Sequence, residues 1–244
     1  MEVFRMTEFN LRLKASVDAN KFRYGYPWIY SNEIISDRRT KSLLPGSFCK
    51  LVDYNKNPIC LVTVNPKSKI FARVMDFNFE TTVDAYWLKD KISKALAKRK
   101  EIFRDPFYRL VNAEADELPG LIVDRFDNVI VMQPNAFWAE NMSEIIANSI
   151  KDVCSIDVVI KNASGRARRL EGLDDKNSVF FGDLPEAAIS VPMNGAIYKA
   201  DVHEGQKTGL FYDQRQNHKF VASLASGKTV LDVFCHVGGF GLAA

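Results

Sequence analysis

The first 76 residues alternate apolar and polar side chains, as half-buried β-strands do. Phe9, Leu11 and Leu13 each stand between polar neighbours. Four short apolar runs follow, separated by turn-forming Pro, Gly and Asn, at residues 28–30, 48–52, 59–64 and 70–74. Short strands at this spacing are typical of a small barrel or sandwich. The pattern therefore predicts an N-terminal β-domain over residues 1–76.

Over residues 88–103, the apolar side chains instead recur at the spacing of one face of an amphipathic helix. The opposite face of this helix is basic and carries Lys89, Lys91, Lys94, Lys98, Arg99, Lys100 and Arg104. A charged face of this kind is usually only solvated, so the basic residues alone do not identify a binding surface.

Strand and helix patterns alternate in the next part of the chain. Strands are predicted at 108–112, 121–125, 129–133 and 158–160, and a second amphipathic helix at 139–150. The polar, Arg-rich stretch 164–178 reads as a loop. This order predicts an α+β middle domain that extends to about residue 195.

The last segment ends in a glycine-rich motif. A helix is predicted from about Asp213 to Ala225, and residues 229–234 (TVLDVF) have the near-continuous apolar character of a buried parallel strand. Glycines follow at 238, 239 and 241, ahead of small apolar residues that begin another helix. Such a strand–turn–helix unit brings backbone N–H groups close to a ligand and predicts the opening of a nucleotide-type cofactor site.

Three cofactor types compete for this unit. The glycine spacing is in the wrong register for a dinucleotide fingerprint, and Lys207-Thr208 lacks the glycines of a phosphate-binding loop. S-adenosylmethionine fits best, with Asp232 at the strand end addressing its methionine end. The alternative is a glycine turn that only packs strand against helix.

The polar stretch 203–217 supports a site. Asp213 and Gln216 fit an N-cap with its third helical position. That structural interpretation leaves Lys207, Tyr212, Gln214 and Arg215 without a role.

Charge and cysteine content narrow the class of protein. The 33 Lys and Arg against 30 Asp and Glu leave a net charge of +3, so any nucleic-acid surface must be local.

No apolar run approaches the roughly 18 residues of a membrane span, and the N-terminus lacks the apolar core of a secretory signal. The four cysteines and three histidines show no metal-ligand spacing. We expect a soluble cytoplasmic protein with reduced thiols.

Motifs along the whole chain carry a resemblance to a known family, and they lie at residues 25–34 (GYPWIYSNEI), 45–46 (PG), 108–116 (YRLVNAEAD), 118–126 (LPGLIVDRF), 204–215 and 232–241. With them the chain resembles the PUA-containing class I methyltransferases that make 5-methylcytosine in ribosomal RNA. The sequence departs from the family at His236-Val237, where Tyr-Thr is usual.

The resemblance implies three domains and a cofactor. These are a PUA-like RNA-binding β-barrel at 1–76, a central α+β domain at 77–195, and the first part of a Rossmann-like methyltransferase domain at 196–244. It implies S-adenosylmethionine as the cofactor. The implied cofactor-binding residues are Tyr212, Asp213, Gln214, Asp232, Phe234, Gly238 and Gly239.

In that family, the residue that holds the cofactor ribose, an Asp-Pro-Pro segment and the nucleophilic cysteine all follow the glycine turn. None of the four cysteines here matches the nucleophile, and Cys235 is expected to be a small apolar filler. One hypothesis is the N-terminal portion of an rRNA 5-methylcytosine methyltransferase, truncated after the first cofactor motif and inactive alone. The alternative is a stand-alone RNA-binding PUA protein with a vestigial methyltransferase segment.

RNA is the expected macromolecular partner, and exposed cations are the expected contacts. The candidate RNA-binding residues are Lys91, Lys94, Lys98, Arg38, Arg39, Arg166 and Arg168. Phosphate contacts of this kind give affinity with little sequence choice. A polypeptide that carries the rest of the methyltransferase domain, or a second copy of this chain, is the expected protein partner.

Overall fold

The computed structural model describes residues 6–203, 205 and 208–244. Its N-terminal part holds five strands and two short helices. In chain order these are β1 (Met6–Arg12), α1 (Asn20–Arg23), β2 (Trp28–Tyr30), α2 (Arg38–Lys41), β3 (Phe48–Val52), β4 (Pro58–Val64) and β5 (Ile70–Asp76). The strands form one sheet in the order β1-β3-β4-β5-β2, parallel only between β1 and β3. The strands predicted from alternation are therefore confirmed.

The two edges of this sheet are joined. Leu13, just after β1, forms a β-bridge with Ile34, just after β2. The N–H of Lys14 donates to the Glu33 carbonyl at 2.9 Å, and the N–H of Ile35 donates to the Arg12 carbonyl at 2.8 Å. The sheet thus curls back on itself, as a small barrel requires, around a core made by its inward-facing apolar side chains.

The central part is a second five-stranded sheet covered by helices. Its elements are α3 (Ala85–Ile102), β6 (Phe107–Asn112), a 3₁₀ turn (Ala113–Asp116), β7 (Leu121–Phe126), β8 (Val129–Pro134), α4 (Phe137–Asn141), α5 (Ser143–Cys154), β9 (Val158–Lys161), α6 (Arg166–Glu171) and β10 (Ser178–Phe181). The order is β10-β9-β8-β7-β6, with only β8 and β9 parallel. Helices α3 and α5 pack on one face of this sheet.

The helix α6 lies where the sequence predicted a loop. Arg168 explains the difference, because its guanidinium is fully buried and donates to the carbonyls of Pro134 and Asp174. The helix ends at Gly172, whose φ of +83° is a common helix C-terminus. Long-range contacts of one residue thus order a segment whose local composition is typical of a loop.

The third part covers the other face of the central sheet. It consists of β11 (Ile189–Met193), β12 (Ala196–Ala200), a 3₁₀ turn (Tyr212–Gln214), α7 (Arg215–Ala225) and α8 (Gly239–Ala243). Strands β11 and β12 form a hairpin whose turn, Asn194-Gly195, has positive φ at both residues. The hairpin and the residues around 202–212 share a core with Phe126, Val131 and Ile160 of the central sheet.

The strand predicted at residues 229–234 is not present. The segment is irregular, and Leu231 and Phe234 are 86% and 100% exposed. A buried parallel strand requires neighbouring strands for its backbone hydrogen bonds. No strand among the described residues pairs with this segment, so its apolar side chains face solvent.

Buried polar contacts join the barrel to the central part. The carboxylate of Glu171 is 5% exposed and accepts hydrogen bonds from Asn65 at 2.8 Å, Ser68 at 3.0 Å and Arg73 at 2.7 Å. On the same side, Trp28 Nε1 donates to Glu114 at 2.8 Å. Apolar residues of the barrel strands also contribute to the core of the central part. The domain boundaries at residues 76 and 195 therefore stay predictions.

No helix in the part of the chain that the structure describes combines the length and apolar character of a membrane crossing.

Glu171→Ala should lower the free energy of unfolding by about 3 kcal/mol, because Arg73 and Asn65 would keep buried polar groups without their main partner. Urea unfolding of the whole chain measures this loss. Glu186→Ala removes an exposed carboxylate and is the matched control. Equal losses in the two variants would show that the Glu171 network does not stabilise the protein.

Candidate functional site

The glycine-rich turn leads directly into α8. The N–H of Gly238 donates to the Cys235 carbonyl at 2.8 Å, and the φ of Gly238 is +76°, a conformation that favours glycine. Oδ2 of Asp232 accepts a hydrogen bond from the N–H of Gly241 at 2.8 Å. Helix α8 begins at Gly239. The predicted turn and helix start are therefore present, although the strand before them is not.

Gly239 leaves room for the imidazole of His218, which α7 supplies. A Cβ atom at position 239 would lie 2.4 Å from Cε1 and 2.5 Å from Nε2 of His218. Tyr198 packs against the same ring, and its hydroxyl donates to the Gly239 carbonyl at 3.2 Å. Phe240 meets the imidazole edge-on, with ring centroids 4.6 Å apart. Close packing thus requires glycine at 239.

His218 is buried and favours its neutral form. Desolvation lowers its pKa, against the opposing effect of the Asp232 and Asp213 charges. Its Nδ1 has no hydrogen-bond partner within the described structure. A neutral imidazole offers one donor and one acceptor, so His218 retains hydrogen-bonding capacity.

A cavity of about 300 Å³ opens beside the turn. Its lining is mostly apolar with a few polar groups, as is usual for small-molecule sites. The residues around it are Leu210, Phe211, Gln214, His218, Asp232, Val233, Phe234, Cys235, His236, Val237, Gly239 and Phe240. The structure thus brings together Gln214, Asp232, Phe234 and Gly239 from the predicted cofactor set.

The 3₁₀ turn 212–214 separates this cavity from another. Tyr212 and Asp213 line a cleft of about 220 Å³ on the side of α3 and β6, whereas Gln214 lines the first cavity. The Tyr212 hydroxyl is buried and donates to the Arg125 carbonyl at 3.0 Å. Burial and the Asp124 charge raise the Tyr212 pKa, so this hydroxyl stays protonated.

The cysteines differ in accessibility. Cys49, Cys60 and Cys154 are buried, and burial raises the pKa of Cys60 to about 12 and that of Cys154 to about 11. Cys235 is exposed and lines the first cavity, which corrects its expected role as an apolar filler.

Most of the candidate RNA-binding cations are accessible. Arg38 and Arg39 are exposed on α2, and Lys94 and Lys98 are exposed on α3. Arg166 is exposed at the start of α6. These side chains can reach a phosphate without leaving a buried position.

Two of the predicted cations, Lys91 and Arg168, are largely buried and paired within the fold, whereas the exposed Lys94 pairs with Asp90 on its own helix at 2.6 Å. Arg168 is fully buried and pairs with Glu140, so we correct its assignment and remove it from the RNA-binding set. Lys91 is 11% exposed and pairs with Asp76 and Glu117, which leaves little of its charge for RNA. A helical spacing shows which residues share a face, but not which of them are paired within the fold.

Sequence reasoning did not single out His218. Its place on the inner face of an amphipathic helix is the pattern of a core residue, and nothing local indicates the cavity beside it. Lys207, which the sequence did single out, lies outside the described residues.

Comparison with known proteins relates the barrel to a family. The PUA-like domain family matches residues 11–77. This match confirms the PUA-like N-terminal domain that the sequence resemblance implied.

Curated relatives extend the likeness over nearly all of the chain. Ribosomal RNA large subunit methyltransferase I of Shewanella frigidimarina is 33% identical over 222 residues, covering 90% of this chain and 56% of the relative. A ribosomal RNA large subunit methyltransferase of Deinococcus radiodurans is 33% identical over 247 residues, covering 96% of this chain and 59% of the relative. The chain is homologous to these proteins and spans somewhat more than half of their length.

Solved structures share the fold. A Streptococcus mutans protein described as a candidate SAM-dependent methyltransferase superposes with a TM-score of 0.80 at 17% identity, over 96% of this chain and 60% of that one. SMU.776, a candidate methyltransferase in complex with SAH, superposes with a TM-score of 0.77 at 17% identity, over 96% and 59%. This chain therefore shares its mixed α/β fold with these two structures.

Gly239→Ala should lower the free energy of unfolding by roughly 1–3 kcal/mol, because the new methyl group would overlap the His218 ring. Urea unfolding measures the loss. In a His218→Ala background the overlap is absent, so the same substitution should cost less. An equal loss in both backgrounds would show that the ring does not set the requirement for glycine.

Proposed function

We propose that this chain belongs to an S-adenosylmethionine-dependent methyltransferase that acts on C5 of cytosine in large-subunit ribosomal RNA. The main support is the relationship to rRNA large subunit methyltransferases over 90–96% of the chain. A PUA-like domain and a cavity beside a glycine turn fit an RNA substrate and a small-molecule cofactor, respectively.

The cavity supplies one side of a cofactor site. Gln214, His218, Asp232 and His236 bring polar groups to the wall of the cavity, and Gly238 and Gly239 form the glycine turn beside it. Bound S-adenosylmethionine would supply the methyl group. Phe234 completes the proposed wall.

Tyr212 and Asp213 stay in the proposed set because they belong to the same 3₁₀ turn as Gln214, although they face the neighbouring cleft. Their proposed role is to fix the turn against the central sheet. The Tyr212 hydrogen bond to Arg125 supports this role.

We propose that methyl transfer needs residues beyond those of this chain. Methylation at C5 of cytosine requires a thiolate that attacks C6. Three of the four cysteines are buried, and Cys235 lies in an irregular exposed segment. A separate polypeptide that carries the rest of the methyltransferase domain is the proposed partner.

Purified 244-residue chain should transfer no labelled methyl group from S-adenosylmethionine to large-subunit rRNA, because three of its cysteines are buried and Cys235 lies in an irregular exposed segment. Scintillation counting of the recovered RNA measures this. Adding a polypeptide that supplies the remaining methyltransferase segment should give incorporation. Incorporation by the chain alone that disappears in Cys235→Ser would overturn the proposal and identify Cys235 as the nucleophile.

RNA binding is proposed to use the exposed cations on three surface segments. They are Arg38, Arg39, Lys94, Lys98 and Arg166. Phosphate contacts release counterions, so the affinity should fall steeply with salt.

The double variant Lys94→Gln/Lys98→Gln should weaken binding to a single-stranded rRNA fragment and reduce the slope of log K against log salt by about 1.4, or ~0.7 for each contact. Fluorescence anisotropy at several salt concentrations measures the slope. Lys219→Gln/Lys228→Gln removes the same charge from exposed positions in the third part of the chain. Equal slopes in the two double variants would exclude α3 from the RNA contact.

A further inference from the structure

A fully buried carboxylate in the central sheet is bonded to the segment that leads into the candidate cofactor site. Asp124 is on β7 and has no exposed surface. Side chains alternate along a strand, so Asp124 and Phe126 face away from Val123, which packs under α3 and α5. Asp124 therefore faces the third part of the chain.

This carboxylate is bonded by two different parts of the protein. Arg109 donates from Nε at 2.9 Å and from Nη2 at 3.0 Å, forming a two-pronged ion pair across β6 and β7. Thr208 donates its hydroxyl to Oδ2 of Asp124 at 2.6 Å. The Arg109 guanidinium balances the buried charge of Asp124. The Thr208 hydroxyl links this carboxylate to a segment 84 residues away in sequence.

Several residues of the segment 208–212 contact β7. Thr208 is the first of them, and its side chain is fully buried. Leu210 is also buried, and Tyr212 packs on Phe126 with ring centroids 5.2 Å apart while its hydroxyl bonds to Arg125. Three consecutive residues of β7, Asp124, Arg125 and Phe126, therefore contact residues 208–212.

The backbone between these contacts has little freedom. Gly209 has a φ of +103°, and a Cβ atom there would lie 2.5 Å from the Asp201 carbonyl oxygen. A shift of Thr208 would therefore move the residues that follow. Leu210, Phe211 and Gln214 are among them, and all three line the 300 Å³ cavity.

We propose that Thr208 and Asp124 are positioning residues: their buried hydrogen bond fixes the segment 208–214 and thereby sets the shape of the cofactor cavity without touching the ligand. The link to cofactor binding rests on the function proposed above. The positioning itself is a property of the free protein and can be measured there.

Hydrogen–deuterium exchange of the whole chain tests the positioning. Thr208→Val keeps the shape of the side chain and removes the hydroxyl, which should speed exchange of the amides in 208–214 about tenfold. Thr208→Ser should restore slow exchange. Thr63→Val is the matched control, because the Thr63 hydroxyl is buried and makes no hydrogen bond within the described residues; it should leave 208–214 unchanged.

Calorimetry with S-adenosylmethionine, with the rest of the methyltransferase domain supplied as a polypeptide, provides the second readout. Thr208→Val should bind roughly fivefold more weakly or worse, since fewer molecules hold the competent conformation, and Thr208→Ser should recover the affinity. Unchanged exchange in Thr208→Val, absence of rescue by Thr208→Ser, or an affinity of Thr208→Val equal to that of the wild type would overturn the inference. If the wild type binds no cofactor, the proposed function fails, and the exchange data still decide the positioning.

Discussion

The central sheet is apolar on both faces, and the rest of the structure depends on covering it. Strand β7 has apolar side chains on both of its faces. Val123 packs under helices α3 and α5, and Phe126 packs under the β11–β12 hairpin and the segment that follows it. Each face hides enough apolar surface that neither could be left in water. The need to cover the second face is what brings the glycine turn and its cavity against the middle of the protein.

Much of the fold could be predicted from the sequence because its signals are local. The alternation of Phe9, Leu11 and Leu13 lies in β1 and the residues beside it, and the helical spacing of Leu88, Ile92 and Leu96 lies in α3. Segments whose state depends on distant partners were not predictable. Residues 229–234 have a strand sequence but no strand to pair with, and α6 depends on the remote contacts of Arg168.

The candidate site likewise has features that could be predicted from the sequence and features that could not. Glycine spacing identified the turn at 238–239, because tight turns need glycine at fixed offsets. The contribution of His218 depends on the approach of α7 to α8, and that of Thr208 on a carboxylate 84 residues away in sequence. The separation of Tyr212 from Gln214 into two cavities is likewise a property of the folded chain.

The exposed segment 229–234 has a consequence for the behaviour of the protein in solution. It combines β-branched and aromatic side chains with a single charge, Asp232, and its backbone has no strand partner among the described residues. Such a stretch is a template for pairing between molecules. A net charge of only +3 opposes that pairing weakly. The segment therefore presents exposed apolar side chains, and a backbone without a strand partner among the described residues, to which another strand can add.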